Sequence, residues 1–316
     1  MINKKISVIM SVYNEKEIWL KEAIDSILNQ TFHNFEFIII MDKPDNQNLI
    51  KLLRGYEKID ERIRVYVNEK NMGLVRSLNK ALKLCSGEFI ARMDADDYSY
   101  PERFKKQIDF FSKNQNIDLC ATGVVIMDEN GNEMYKAKIY GTTPKRAEKS
   151  LIYRNVFPHG SWMIRKSKID ELGEYLEINQ AEDYDLLFRM LDRGMKISVI
   201  PEYLFKYRLR NTGISYKNLY KQKKVMLNIS EQYVKATKEN KEYVYREDKD
   251  ETEENAYEIE KYSYYQELYT SSITDIRNKH FVRGAIGIIR TFCFSSYKRK
   301  EIKSTIALKI INKIYK

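Results

Sequence analysis

Cysteine is scarce: the 316 residues hold three, Cys85, Cys120 and Cys293, at spacings that match neither a metal site nor a disulfide framework. That excludes a disulfide-stapled secreted scaffold and fits a reducing interior. No apolar run is long enough to cross a bilayer. Ile6 to Val12 is too short for a secretory segment and runs straight into Tyr13, Asn14 and Glu15. Cytoplasmic residence is therefore expected. The turn after that first apolar run holds no glycine, so it lacks the Gly-rich, basic phosphate loop expected of a nucleotidyltransferase that makes sugar nucleotides. A chain of this length has room for one large core plus an appendage.

What is present is concentrated in residues 87 to 104, GEFIARMDADDYSYPERF, where an apolar strand-like run (Phe89, Ile90, Ala91) empties into Asp94, Asp96 and Asp97. Three carboxylates sharing one site repel one another unless a counter-charge joins them. A divalent cation supplies that charge, and Mg2+ or Mn2+ favours one or two carboxylates together with phosphate oxygens of a substrate. Capping of the next helix is the competing reading. Ser99 and Glu102 at capping-box spacing, with Pro101 in the first turn, already predict that start, which leaves Asp94 and Asp96 unexplained.

The surrounding pattern alternates strand and helix. Ile6 to Val12 reads as a buried strand, followed by a helix with Ile18, Leu20, Ala23, Ile24, Ile27 and Leu28 on one face. FEFIIIMD, residues 35 to 42, is a second buried run ending in an acid. A helix near 46 to 57, a strand at 63 to 67 and a helix from Leu74 to Leu84 precede the strand that leads to Asp94. Strands apolar on both faces and alternating with helices predict an α/β fold, with a mostly parallel sheet covered on both sides. Ligands of such sheets bind at the carboxyl ends of the strands, where Tyr13, Asp42 and Asp94 to Asp97 all fall. Further on, AEDYDLLFRMLDRG places Glu182 and Asp183 at the start of a helix stopped by Gly194. Acids there serve the helix dipole about as often as they serve catalysis.

Six ordered segments between Ile6 and Ser215 resemble the family 2 glycosyltransferases, whose fold is the nucleotide-sugar-binding GT-A fold: SVIMSVYNE, FEFIIIMD, NMGLVRSLNKAL, MDADD, HGSWMIRKS and AEDYDLLFRML. The likeness is greatest to the bacterial enzymes that build capsule, exopolysaccharide and lipopolysaccharide repeat units. It implies an inverting hexosyltransferase that takes a UDP-sugar donor and a glycan or polyprenyl-diphosphate-linked saccharide acceptor. Ser11, Tyr13, Glu15, Asp42, Arg76, Asp94 and Asp96 then contact the nucleotide sugar: Tyr13 stacks on uracil and Asp42 accepts its imide N–H. Asp96 is the direct ligand of Mn2+ or Mg2+, with Asp94 on the ribose or supporting the metal. Asp183 takes the catalytic base role, and Glu182 touches the acceptor. His159 and Arg208 stand on the acceptor or diphosphate side. So does Arg210, which occupies the position of the family's metal-completing histidine; it cannot ligate a cation but can grip a diphosphate. Met41 and Lys43-Pro44 replace an acid and a Gly-Ser usual in the base-reading turn.

The composition shifts near residues 215 to 220, predicting a GT-A domain over 1–217 and a helical region over 218–316. Residues 238 to 262 are strongly charged and poor in apolar residues, as in an exposed helix or linker. Residues 279 to 316 hold ten Lys or Arg against Glu301 alone, so nine of the ten net positive charges sit there. FVRGAIGIIRTFCF and IALKIINKIYK mix apolar and basic residues as does a helix lying on an anionic membrane, and peripheral contact with the inner face of the membrane is expected. A packed appendage with solvated lysines is the bland rival. Nucleic-acid binding is not expected, because no binding module accompanies the charge. A non-catalytic binding protein leaves Asp183 without a purpose. Oligomeric state is left open.

Overall fold

The computed structural model describes residues 5–178, 180–210, 219–247 and 256–315. The chain divides into two compact units, Met1–Glu148 with Asn155–Lys217, and Lys149–Arg154 with Asn218–Lys316.

Among the described residues the first unit is built on a nine-stranded sheet of order β3-β2-β1-β4-β8-β6-β9-β5, with β7 (Glu133–Lys136) pairing β6. β1 (Ile6–Val12), β2 (Phe35–Met41), β3 (Ile63–Val67) and β4 (Phe89–Arg92) run parallel, as their two-sided apolar character predicts. Beyond β4 the sheet is mixed: β8 (Met163–Arg165) is antiparallel to β4 and to β6 (Leu119–Met127), and β9 (Ile197–Arg208) is parallel to β6. This is a GT-A fold. The helix α1 (Glu17–Leu28) buries Leu20, Ala23, Ile24 and Ile27 against the sheet, joining a core that includes Phe37, Ile39, Phe89 and Phe104.

Register aligns the strand ends. Val12 pairs with Met41, and Met41 with Val67, so the residues that follow, Tyr13, Asp42 and Asn68, emerge side by side. β4 ends lower, with Arg92 opposite Ile9, which opens a step into which Met93 to Asp97 turn. The sheet breaks register between β6 and β9 around Gly123, where β9 carries Pro201 and Glu202. Proline donates no ladder hydrogen bond, and a Cβ at Gly123 would stand 2.9 Å from the Glu202 carbonyl. Past this bulge β9 pairs through Phe205 and Lys206 with β5 (Tyr98–Ser99), antiparallel, which ties the acidic turn to the sheet.

One sequence expectation fails here. The helix α4 (Arg103–Lys113) has no capping box: Ser99 lies in β5, and the N-cap position, Glu102, makes no side-chain cap bond. The cap comes from a distance. Buried Gln30, just past α1, accepts from the Phe104 amide at 3.0 Å and donates to Ser99 Oγ at 3.0 Å and the Tyr100 carbonyl at 2.8 Å.

In the second unit, helices span Leu219–Lys238, Ala256–Arg277, Phe281–Phe294 and Ser296–Ile314. Its interior holds Val225, Ile229, Tyr233, Tyr262 and Leu308, and Ser230 Oγ donates to the Ile152 carbonyl at 2.6 Å. Of the expected exposed linker, residues 248–255 lie outside the described residues; so do 211–215, the end of the segment matched to the family.

Gln30 thus generates a prediction. Gln30→Ala takes the cap from the Phe104 amide, removes a donor from Ser99 Oγ and the Tyr100 carbonyl, and leaves a void, costing about 2–3 kcal/mol. Denaturant unfolding should show a lower midpoint with an unchanged slope; an unchanged midpoint refutes the capping role.

Candidate active site

The acidic turn after β4 is a charge cluster held by arginines. Arg92, the last residue of β4 and 2% exposed, donates from Nη2 to Asp94 Oδ1 at 2.5 Å and from Nη1 to the Met93 carbonyl. Arg210 places Nε 2.7 Å from Asp96 Oδ2. The buried Asp97 carboxylate accepts from the Arg208 amide at 2.9 Å, and its other oxygen meets no donor among the described residues. Burial raises the pKa of Asp96 to about 6 against the pull of Arg210, with Asp94 and Glu15 adding to the rise. Burial and the charges of Asp96 and Asp94 raise Asp97 further. The site is short of positive charge.

Across the cluster stands α7 (Glu182–Asp192), closed by Gly194 at φ 70°. Asp183 Oδ1 accepts from the Tyr184 amide at 2.7 Å and Oδ2 from Asn155 Nδ2 at 2.9 Å. Those bonds favour the anion, yet burial outweighs them and lifts the Asp183 pKa to about 6. Glu182, 6% exposed, is lifted to about 8 by burial and by Asp183 beside it. Both feel the charge of Asp94, as Glu15, Asp96 and Asp97 do, so Asp94 is electrically common to the two banks. Glu15, after β1, accepts from the Tyr13 amide at 2.8 Å and has its pKa raised, chiefly by burial.

His159 opens a short turn before β8. Its Nε2 lies 3.0 Å from Tyr175 Oη, and its ring packs edge-on against Trp162 at 4.6 Å. Burial, then the charge of Arg92, holds it well below the usual histidine pKa, hence neutral at pH 7. The neighbouring Gly160 permits close approach, since a Cβ there would lie 2.8 Å from Asp94 Oδ2.

Tyr13 is 45% exposed at the end of β1, with Lys43 Nζ 5.4 Å from its ring centroid. Ser11 lies within β1 opposite Ile40. Asp42, 2% exposed, is engaged with its own chain: Oδ1 accepts from Asn68 at 2.7 Å and the Met72 amide at 2.8 Å, and Oδ2 from the Gly73 amide at 2.8 Å. It pins the Asn-x-Gly loop in front of α3 (Leu74–Leu84), where Gly73 takes φ 85°.

Two of the expected ligand arginines are engaged by protein partners. Arg208 does not face an open diphosphate site: its side chain, 1% exposed, binds the Asp96 carbonyl at 2.7 Å, the Glu129 carbonyl at 3.1 Å and Glu22 at 2.5 Å. Arg76 forms a two-pronged pair with Glu177, at 2.8 and 3.1 Å. Guanidinium groups match carboxylate and carbonyl partners as readily as phosphates, and here protein partners claim them. Sequence reasoning passed over Arg92 and Asn155. An arginine closing an otherwise apolar strand directly before three acids was the available signal for the first; nothing local marks the second.

The match to known proteins decides the class. The family model Glycosyl transferase family 2 matches residues 7–173. The chain belongs to glycosyl transferase family 2. An uncharacterized glycosyltransferase of Methanocaldococcus jannaschii is 36% identical over 218 residues, 69% of this chain and 75% of that protein. The O-antigen biosynthesis glycosyltransferase WbnJ of Escherichia coli is 35% identical over 65% of this chain and 80% of its own length. The amylovoran biosynthesis glycosyltransferase AmsE of Erwinia amylovora is 31% identical over 64% of this chain and 75% of its own. Among solved structures, S. aureus TarS 1-349 in complex with UDP-GlcNAc superimposes with a TM-score of 0.56 at 21% identity, over 72% of this chain. This chain spans 66% of that one and 42% of the longer TarS chain, and the likeness establishes the fold.

Members of the family generally use a divalent metal. Among the described residues no three His, Cys, Asp or Glu side chains converge as a metal-binding group. The residues nevertheless fit a hard cation of the kind completed by phosphate and water: Asp94 and Asp96 offer carboxylate oxygens in a site where burial first, and then neighbouring carboxylates, raise the pKa values of Asp96 and Asp97.

Glu182 yields a pH prediction. Unfolded, it loses its proton near 4.5; folded, near 8. Between those values the native state binds the extra proton, so this group's contribution to stability falls as pH rises. Glu182→Gln removes that dependence: its melting temperature relative to the parent should climb from pH 5 to pH 8. Parallel curves would refute the shift.

Proposed function

We propose that this chain transfers a hexosyl group from a UDP-sugar to a hydroxyl of a glycan or polyprenyl-diphosphate-linked saccharide, inverting the anomeric centre, in bacterial surface polysaccharide synthesis. The observation that carries the reading is the setting of Asp183. This carboxylate is oriented by Asn155 and the Tyr184 amide, has a pKa raised towards neutrality, and is coupled through Asp94 to the acidic turn. The O-antigen and amylovoran assignments of two relatives support the pathway class, and the UDP-GlcNAc held by a structural neighbour supports the donor.

Asp183 takes the proton of the acceptor hydroxyl as that oxygen forms its bond to the anomeric carbon. The bond from that carbon to the diphosphate oxygen breaks on the opposite face, and its electron pair leaves with UDP. A single displacement inverts the centre. Glu182, largely protonated at pH 7, is suited to donate a hydrogen bond to the acceptor sugar. Asp96, with Asp94, would hold Mn2+ or Mg2+, which supplies charge neutralisation for the departing diphosphate. Arg210, now on Asp96, has the planar fork to turn onto the same phosphates. Tyr13 offers the ring for uracil, and Asp42 shapes the base end through the loop that it pins.

Asp183→Asn should keep UDP affinity and lose roughly a hundred-fold to ten-thousand-fold in transfer rate. Unchanged turnover, or a product of retained configuration, would overturn the base assignment. Calorimetry gives a separate check on the donor: UDP with Mn2+ should bind more tightly than ADP or GDP with Mn2+, and Asp96→Ala should weaken it. Equal affinities across the three nucleotides would sink the uridine reading.

A further inference from the structure

The helix Phe281–Phe294 in the second unit is packed inside out. Its small residues face inwards: Gly284, Gly287 and Thr291, spaced to share one face, are buried, and both glycines abut the helix Ala256–Arg277. A Cβ at Gly284 would stand 2.5 Å from Ile276 Cγ1 and 2.7 Å from the Ser272 carbonyl, and one at Gly287 would collide with Ser272 Oγ. The opposite face presents Val282, Ile286 and Ile289, exposed at 75%, 48% and 60%, with exposed Cys293 in line one turn on. A helix of a soluble core buries its bulky face and turns small or polar residues to water. Glycine-mediated contact with aliphatic side chains facing outwards is how helices pack when the surrounding medium is apolar.

The next helix, Ser296–Ile314, has a bulky buried face but also turns aliphatic side chains outwards, with charge added. Leu308 and Ile311 are buried, while Ile306, Ile310 and Ile314, four residues apart, are 53%, 49% and 67% exposed. Lys303, Lys309 and Lys313 fall on the same side of the helix as these isoleucines. Long basic stems lie along an apolar surface and lift their ammonium groups to the phosphate level.

We infer that the outward faces of residues 281–314 form a docking surface for an anionic lipid bilayer, lying in its interface rather than crossing it. No described helix is long and apolar enough to cross. Charge selects this occupant over a second copy of the chain. Residues 279 to 316 hold nine net positive charges, so two such faces brought together repel, whereas acidic headgroups attract them. The inference is independent of the reaction assigned to the other unit, because vesicle binding and UDP binding are read separately.

The test is co-sedimentation of the full chain with vesicles of phosphatidylglycerol and phosphatidylcholine, against phosphatidylcholine alone, at low and high salt. Binding should require phosphatidylglycerol and fall as salt rises. Ile286→Ser with Ile289→Ser should weaken it at least tenfold, and Lys309→Gln or Lys313→Gln about fivefold each. These side chains are exposed, and an unchanged melting temperature for each variant separates loss of docking from loss of fold. An environment-sensitive dye on Cys293, the exposed cysteine of the three, should shift to the blue on anionic vesicles. A chain that stays in the supernatant with phosphatidylglycerol vesicles at low salt, or a dye that does not shift, overturns the inference. So does a dimer in sedimentation equilibrium that the paired isoleucine substitutions dissolve, since the face would then belong to a second copy.

Discussion

The first unit is organised around one electrostatic constraint: carboxylates gathered at the ends of parallel strands must find positive charge without leaving the fold. Arg92 meets most of it from inside the sheet. It is buried at the end of β4, bonds Asp94 directly, and its charge reaches Asp97, His159, Tyr175 and Glu182. Arg103, also fully buried and shifted down to about 9 by that burial, donates to the Arg92 and Gly160 carbonyls at 3.0 Å each and so fixes the backbone around the pair. Arg208 does the same for the Asp96 carbonyl from β9. A buried arginine with no partner is costly, and so is a buried carboxylate; only the set together is tolerable. The residual excess of negative charge is then a property of the assembled site and not of any one acid.

That balance also explains what the sequence made legible. The strands and helices up to residue 92 were readable because continuous apolar runs leave few alternatives, and the turn acids fell at strand ends by register alone. Long-range partners were not. Gln30 caps a helix 74 residues away at Phe104, so the local Ser99–Glu102 pattern misled. Arg208 and Arg76 have the chemistry of phosphate ligands, and only the folded chain reveals that Glu22 and Glu177 already hold them. Asp42 falls at the carboxyl end of β2, as the apolar run before it predicts, yet its hydrogen bonds run to amides 30 and 31 residues on. Spacing predicts faces; it does not predict which polar groups will satisfy one another.

The two units follow different packing rules. In the first, bulky side chains interlock on both faces of the sheet and glycine appears where backbone must approach closely, as at Gly160 and Gly123. In the second, glycine forms the seam of the helix Phe281–Phe294, whose Val282, Ile286 and Ile289 look out, while Val225, Ile229 and Leu308 fill the interior. The same residue type thus does two jobs, admitting backbone in a sheet and closing a seam between helices.

The chain passes between the two units at three peptide bonds, Glu148–Lys149, Arg154–Asn155 and Lys217–Asn218, and the second of these lies beside the candidate site. Residues Lys149–Arg154 belong to the second unit, and Asn155 is the first residue to return to the first. It is also the residue whose amide side chain orients Asp183. The aim of one carboxylate is therefore set by a side chain one peptide bond from the other unit, and the tether, being covalent, persists whatever either unit binds.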